Sequence, residues 1–153
     1  MNRILIAVDD TKGSKNAFEM SSKVCSCIRP ETIVLVYVEK FEGKSLIDDM
    51  LGDAEMSTLS EVLEGTEYQE ALDKKAQKIL NYYRTALASR GLDNVKSVIR
   101  KGHPAEEILK TVKEEKIDMI VIGSCGNRTS HLFMGSVSRE VANSADVPVI
   151  IVK

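Results

Sequence analysis

Residues 117–152, IDMIVIGSCGNRTSHLFMGSVSREVANSADVPVIIV, contain a complete strand, helix and strand pattern. The first run, Ile117–Ile122, and the last, Val147–Val152, are short and rich in Ile and Val, which is typical of strands buried on both faces of a parallel sheet. A helix is predicted between them, from about Ser136 to Ser144. Because two strands joined through a helix run parallel with a right-handed crossover, this stretch predicts an α/β fold.

The same alternation extends back to the N-terminus. Three further apolar runs predict strands at Ile4–Val8, Ile33–Val38 and Val95–Ile99. Helices are predicted from an N-cap at Ser14 up to Pro30, over about Tyr68–Arg90 before Gly91, and from Pro104 onward. Their buried stripes are expected at Ala17, Ser21, Val24 and Ile28; at Ala76, Ile79, Leu80, Tyr83 and Leu87; at Ala105, Ile108, Leu109 and Val112; and at Val137 and Val141. The order β-α-β-α-β-α-β-α-β predicts one domain over residues 1–153, with a five-stranded parallel sheet and helices on both faces.

A long acidic connection, Phe41–Glu67, interrupts this alternation. Connections of this length are usually functional or mobile. Helical spacing within it predicts one or two short helices, marked by Leu46, Ile47, Met50 and Leu51. A surface excursion that covers a sheet edge or a partner subunit is the simpler alternative.

Composition argues against several classes of function. The 153 residues carry a net charge of -2, which gives no electrostatic reason to expect nucleic acid or an anionic membrane as a partner. No apolar segment reaches the roughly 18 residues of a membrane span, and the first apolar run is too short for a signal peptide. We therefore expect a cytoplasmic protein. The three cysteines, Cys25, Cys27 and Cys125, fit neither a disulfide framework nor a zinc site.

The first strand is followed by an aspartate pair in RILIAVDDTKGS, Arg3–Ser14. Such a pair can hold magnesium beside a phosphorylatable aspartate, as in receiver domains. However, Asp53, at a suitable distance along the chain, has no strand before it, and Lys153 is followed by no final helix that would cover the sheet. The receiver interpretation is therefore disfavoured, and Asp10 is expected to be a solvated turn residue.

Glycines after the run Ile117–Ile122 suggest phosphate binding. Gly123 and Gly126 let backbone N–H groups approach an anion, and Gly135–Ser136 opens a helix whose start offers unpaired donors. Neither G-x-x-x-x-G-K-[ST] nor a strand-linked G-x-G-x-x-G is present. The same residues could simply turn the chain and cap a helix, and composition alone leaves both interpretations open.

The sequence resembles the universal stress protein family over nearly its whole length. The resemblance is carried by ILIAVDDTKGS, RKGHPAEEIL, DMIVIGSCG and GSVSREVANSADVPVIIVK. It implies an α/β fold with strand order 3-2-1-4-5. The ATP-binding branch of the family carries Gly, two residues, Gly, nine residues and then Gly-Ser or Gly-Thr. In this sequence eight residues separate Gly126 from Gly135–Ser136, so the loop is one residue shorter.

The resemblance also implies a nucleotide site without a catalytic residue or a protein-bound metal. ATP would be the ligand, with Mg²⁺ or Mn²⁺ carried by the nucleotide. Three residues would line the adenosine pocket: Ala7, Asp9 and Val38. Four would pass along the ribose and phosphates: Ile122, Gly123, Ser124 and Gly126. Four would present helix-start donors: Gly135, Ser136, Val137 and Ser138. His103, before Pro104, is interpreted as a helix-start residue and not as a catalytic base.

The resemblance and these residues together imply an ATP-binding stress-response or regulatory protein that acts as a nucleotide-dependent switch. The last strand, within residues 147–153, is apolar enough that an open edge would invite pairing, so we expect a homodimer through it. A non-nucleotide dimeric interaction module is the main alternative. By analogy with the family, weak ATP hydrolysis or self-phosphorylation could accompany ATP binding, although nothing in the sequence supplies a base. A nucleotide-activating enzyme would need a substrate domain or thiol motif for which the chain has no room.

Overall fold

The computed structural model describes residues 2–39, 67–124 and 134–153, apart from the side chain of Tyr68. Five strands and four helices lie within these ranges. In chain order they are β1 Arg3–Ala7, α1 Lys12–Ile28, β2 Thr32–Glu39, α2 Glu67–Ala88, β3 Val95–Lys101, α3 Pro104–Glu114, β4 Met119–Gly123, α4 Ser136–Ser144 and β5 Val149–Val152. The acidic connection predicted at 41–67 lies outside the described residues except for Glu67, which begins α2.

The strands form one parallel sheet in the order β3-β2-β1-β4-β5, as predicted. Strand β1 is central, with Ile4 opposite Ile33 of β2 on one side and opposite Met119 of β4 on the other. The chain builds outward from β1 through β2 to β3, then returns to place β4 and β5 on the opposite side. The strand order therefore reverses between β1 and β4, and ligands of open α/β sheets bind at the carboxyl ends of strands at such a point.

Helices cover both faces of the sheet, which explains why the strands read as nearly continuous apolar runs. On one face, α1 and α2 bury a cluster that includes Ile6, Tyr37 and Leu80. On the other, α3 and α4 bury a second cluster that includes Ile108 and Val141. Of the predicted inward residues, all but Ile28 are buried or pack against these clusters. Ile28 is the last residue of α1 and is 41% exposed, whereas Phe18, Ser22 and Cys25 are buried although the pattern did not include them.

Helix α1 begins three residues earlier than expected. The predicted N-cap, Ser14, is buried in the first turn, and the N-cap is Thr11, whose side chain accepts a hydrogen bond from the Ser14 N–H at 3.2 Å. Both residue types suit an N-cap, so the sequence did not distinguish them. The Ser14 hydroxyl instead accepts a hydrogen bond from the Asp9 N–H at 2.8 Å.

The other helix boundaries agree well with the sequence pattern. Pro104 is the first residue of α3, and α4 spans the predicted Ser136–Ser144. Gly91 follows α2 with φ +74°, a left-handed conformation that favours glycine. His103 occupies the N-cap of α3, although its side chain makes no capping hydrogen bond. In the three described stretches, no helix has the length and apolarity needed to cross a membrane.

Candidate functional site

The carboxyl ends of β1, β2 and β4 lie at one edge of the sheet, and several of the described residues that were predicted to bind nucleotide lie there. Ala7 ends β1, Val38 lies one residue before the end of β2, and Ile122 precedes the last residue of β4. Val38 and Ile122 belong to the apolar cluster beneath α3 and α4, and Ala7 and Val137 pack against the same cluster. The structure therefore brings the apolar members of the predicted site to one face of the sheet.

Asp9 is held at several atoms in the turn between β1 and α1. Its Oδ1 accepts hydrogen bonds from the N–H and the hydroxyl of Thr11, at 2.8 and 2.5 Å. Its N–H donates to the Ser14 hydroxyl, and its carbonyl oxygen accepts from the Tyr83 hydroxyl at 3.0 Å. These bonds satisfy the polar backbone of the turn and fix the half-buried carboxylate beside the sheet edge.

The neighbouring Asp10 has a different environment. Its side chain is 58% exposed and lies 3.4 Å from the Lys75 ammonium group of α2. An exposed pair of this kind contributes little to stability. The structure thus agrees with the expectation that Asp10 is a solvated turn residue.

Gly123 is required by close packing at the end of β4. A Cβ at this position would lie 2.7 Å from both the carbonyl carbon and the oxygen of Gly13, in the first turn of α1. Gly123 therefore lets the backbone of α1 approach β4, whatever ligand the site takes. Its neighbour in the sequence motif, Gly126, lies outside the described residues.

The two ends of the glycine-rich loop are tied together by Ser124. The Ser124 carbonyl oxygen accepts hydrogen bonds from the Gly135 N–H at 2.6 Å and from the Ser138 hydroxyl at 2.9 Å. The Ser124 N–H donates to the Val152 carbonyl of β5 at 2.7 Å. The buried Ser138 hydroxyl thus holds the start of α4 against the end of β4.

The first turn of α4 offers backbone donors at this edge. Gly135, the N-cap, supplies no side-chain capping hydrogen bond, and the first N–H groups of an α-helix have no acceptor within the helix. Ser136 is exposed at the first helical position. Together with the positive end of the helix dipole, these N–H groups form an arrangement that suits an anion.

A buried carboxyl group lies at the end of β2, next to Val38. Glu39 is only 4% exposed, and its Oε2 accepts a hydrogen bond from Gln69 of α2 at 3.0 Å. Burial raises the pKa of Glu39, and the adjacent Asp73 raises it further. Hydrogen bonds from Glu39 and from Gln69 lower the pKa of Asp73, so Glu39 is the member of the pair that takes up a proton first as the pH falls.

Sequence reasoning did not assign site roles to Thr11, Tyr83 or Glu39. Tyr83 was predicted only as part of a buried stripe, and its hydroxyl was the one signal that it needed a polar partner. Thr11 was hidden by the equally suitable cap residue Ser14. The acidic Glu39 continues an apolar strand, a pattern that could have marked it as a buried polar group.

The sequence model of the universal stress protein family matches residues 1–153. The universal stress protein MJ0577 of Methanocaldococcus jannaschii is 27% identical over 135 residues, which cover 86% of this chain and 82% of that protein.

Two solved structures illustrate the similarity of fold. The universal stress protein UspA of Lactobacillus plantarum superposes with a TM-score of 0.75 at 23% identity, covering 99% of this chain and 97% of that one. A family member from Arabidopsis thaliana, solved with AMP bound, gives a TM-score of 0.68 at 19% identity and covers 100% of this chain and 92% of that one. Since the family match extends over every residue, the chain belongs to the universal stress protein family.

Proposed function

We propose that this chain binds ATP at the carboxyl edge of its sheet and acts as a nucleotide-dependent regulatory switch in a stress response. The observation that carries the proposal is the first turn of α4, which offers N–H donors without acceptors in the helix. This helix follows β4 in the chain, and the strand order reverses between β1 and β4, where open α/β sheets bind their ligands. Membership of the universal stress protein family supports it, as does the AMP found in the Arabidopsis thaliana relative.

In the proposed complex the base and ribose would lie against the ends of β1 and β2, and the phosphates against the start of α4. Ala7 and Val38 would supply apolar contacts, and Asp9 would accept a hydrogen bond from the nucleoside. Among the described residues the Asp9 Oδ2 has no hydrogen bond, whereas Oδ1 is occupied by Thr11. A carboxylate oxygen held in this way suits a ribose hydroxyl. Mg²⁺ or Mn²⁺ would arrive with the nucleotide.

The phosphate contact can be tested by changing Ser136 to proline. Proline is well tolerated at the first position of a helix and removes one N–H donor there. Hydrogen bonds to charged groups are worth ~1.5–3 kcal/mol, so the affinity for ATP should fall about tenfold or more. The affinity for adenosine should change little. Isothermal titration calorimetry with ATP and magnesium, and separately with adenosine, measures both.

Ser136→Ala is the matched control, since it removes the hydroxyl but keeps the N–H group. It should bind ATP within about threefold of the wild type, because only a side-chain contact at an exposed position is lost. The proposal fails if the wild-type protein shows no saturable heat with millimolar ATP. Equal affinities for ATP in the wild type and Ser136→Pro would instead remove the start of α4 from the site.

The switch would operate through the loop between Gly126 and Gly135. Ser124, just before this loop, is hydrogen-bonded to Gly135 and Ser138 at the start of α4 and to Val152 of β5, so a phosphate group at the start of α4 would act on the same anchor. Nucleotide occupancy would then bias the loop conformation that a regulatory partner recognises. This role requires no catalytic turnover, and we place the protein among binding proteins of the cytoplasm, not among enzymes.

We also propose that two copies associate through β5. The opposite edge strand, β3, carries Lys96, Arg100 and Lys101, and charged side chains of this kind discourage edge-to-edge pairing. Strand β5, Val149–Val152, has only apolar, half-buried residues. An apolar edge without charges is best stabilised by a second copy arranged with two-fold symmetry.

Proline at Ile151 should weaken this dimer. The carbonyl groups of Pro148 and Val152 accept hydrogen bonds from β4 and from Ser124 just after it, so the alternate residue Ile151 directs its N–H away from β4. Ile151→Pro removes a donor on the open edge without removing a hydrogen bond within the sheet. In the dimer, the substitution would remove one hydrogen bond and leave its acceptor in the partner subunit unsatisfied, at a cost of about 1–3 kcal/mol of binding free energy. We therefore expect the dimer dissociation constant to rise about tenfold or more.

Sedimentation velocity over a range of protein concentrations measures this change. Ile151→Ala is the control, because it shortens the side chain and retains the N–H group. A wild-type protein that sediments as a monomer at every concentration would refute the dimer. A dimer that tolerates Ile151→Pro would refute β5 as its interface.

The shorter loop supports a second candidate function. Eight residues, and not nine, separate Gly126 from Gly135, so the phosphate-binding register differs from that of the ATP-binding branch. A chain that dimerises but gives no heat with ATP, ADP or AMP would be a non-nucleotide interaction module of the same fold. The calorimetry and sedimentation experiments together distinguish the two functions.

A further inference from the structure

A group of metal-ligating side chains lies where the start of α3 meets α4, and its member on α4 is four residues after Ser136. It consists of His103, Glu106 and Glu140, which each offer one ligand atom, and these atoms all lie within 4.8 Å of one another. The His103 Nε2 is 3.9 Å from the Glu140 Oε2. An imidazole nitrogen and two carboxylate oxygens are common ligands of zinc and related divalent ions.

The backbone holds these three residues in fixed relative positions. His103 lies between Gly102, whose φ is +136°, and Pro104, whose ring restricts φ. Glu106 follows in the first turn of α3, and Glu140 projects from α4. The two helices pack together in one apolar cluster through residues such as Ile108 and Val141. The ligands therefore come from two elements that are already docked.

The His103 side chain is directed towards α4 and does not cap its own helix. It makes no capping hydrogen bond although His103 is the N-cap residue of α3. Within residues 2–39, 67–124 and 134–153, neither Glu106 nor Glu140 forms an ion pair with a lysine or arginine. The carboxylates thus remain available to a cation.

Local charge favours a cation in spite of the helix terminus. The start of α3 carries a positive partial charge, which would repel a metal ion. Two acidic residues in that turn, Glu106 and Glu107, and Glu140 from α4 outweigh it. Since the side chains of His103 and Glu140 are 52% and 42% exposed, the site would be open to water and would exchange its metal readily.

We propose that His103, Glu106 and Glu140 bind one zinc ion, with water completing the coordination. In a tetrahedral site with metal–ligand distances of about 2.0–2.1 Å, neighbouring ligand atoms are about 3.3 Å apart. Ligand atoms now up to 4.8 Å apart need to approach by about 1.5 Å, which rotation of exposed side chains can supply. Zinc would cross-link the start of α3 to α4.

Calorimetry with zinc chloride near pH 7.5, in a buffer free of chelators, tests this proposal. The background should carry Cys27→Ser and Cys125→Ser, so that thiolates do not contribute to binding. We expect one zinc ion per chain. His103→Ala and Glu140→Gln should each weaken binding at least about tenfold, since even partners outside the ligand shell typically contribute ~10–100-fold. Both changes lie at exposed positions and should leave the fold intact, as circular dichroism can verify.

His131→Ala is the matched control, because His131 is the other of the two histidines in the chain. It should bind zinc within about twofold of its parent. Binding should also weaken when the pH is lowered towards about 5.5, since protons compete for the imidazole. In proton NMR spectra of the His131→Ala variant, zinc should shift the imidazole signals of His103.

The proposal is overturned if the parent shows no saturable binding of zinc, or if binding survives His103→Ala and Glu140→Gln. Loss of binding in His131→Ala would move the site to the glycine-rich loop.

Discussion

Replacing Tyr83 with alanine should lower the free energy of unfolding by about 3–5 kcal/mol, the usual cost of removing a buried aromatic ring. Tyr83 is only 2% exposed and its ring centroid lies 4.6 Å from that of Phe18, so the change opens a cavity between α1 and α2. It also removes the hydroxyl that donates to the Asp9 carbonyl oxygen. Urea unfolding followed by circular dichroism measures the loss.

The adjacent Tyr82 offers a close control, since it is 62% exposed on the same helix. Tyr82→Ala should cost less than about 1 kcal/mol, because surface substitutions have small effects. Tyr83→Phe keeps the ring and removes only the hydrogen bond to Asp9, at an expected cost of about 0.5–1.5 kcal/mol. If Tyr83→Ala and Tyr82→Ala cost the same, Tyr83 does not join α2 to the turn that carries Asp9.

Replacing Gly123 with alanine should destabilise the protein by about 3 kcal/mol, at the upper end of the usual cost of overpacking. The new Cβ would lie 2.7 Å from the backbone carbon and oxygen of Gly13 and 3.2 Å from the Ser14 nitrogen. A flexible side chain could rotate away, but this obstacle is the backbone of α1 in its first turn. Either α1 or β4 must therefore move, and thermal and urea unfolding should both record the loss.

Gly91→Ala is the comparison for this change. A Cβ at position 91 would meet no obstructing atom within 4 Å, so the left-handed φ of +74° is what favours glycine there. Alanine there should cost about 1–2 kcal/mol through backbone strain alone. A Gly123→Ala variant that unfolds within about 0.5 kcal/mol of the wild type would show that the contact with Gly13 relaxes freely. Because Gly123 variants disturb packing, Ser136→Pro is the cleaner test of nucleotide binding.

The strand pattern and the order of elements were readable from the sequence because parallel strands buried on both faces leave continuous apolar runs. The runs at Ile33–Val38 and Val95–Ile99 correspond to β2 and β3, and Pro104 begins α3 as predicted. The prediction for α1 was less accurate. The helix is capped by Thr11 and not by Ser14, because the Ser14 hydroxyl accepts a hydrogen bond from the Asp9 N–H instead. That bond joins the turn after β1 to the start of α1.

The candidate site was predictable in its residue types but not in its connections. Glycine and serine before a helix indicate possible anion donors, and the structure places Gly135 and Ser136 at the start of α4. The sequence left open whether Gly123 serves a ligand or the chain itself. The close approach of Gly13 shows that packing alone requires a glycine at position 123.

By itself, the sequence determined the fold class and the order of the strands and helices, because hydrophobic periodicity and capping residues act over a few neighbouring positions. Its resemblance to universal stress proteins indicated the strand order and the residues of the candidate site. Only the tertiary structure decided which distant groups meet. Tyr83 holds Asp9 across 74 positions of chain, and Ser124 joins the start of α4 to β5. His103 faces Glu140 from another helix. Such contacts depend on how the helices dock on the sheet, and no local pattern records that docking.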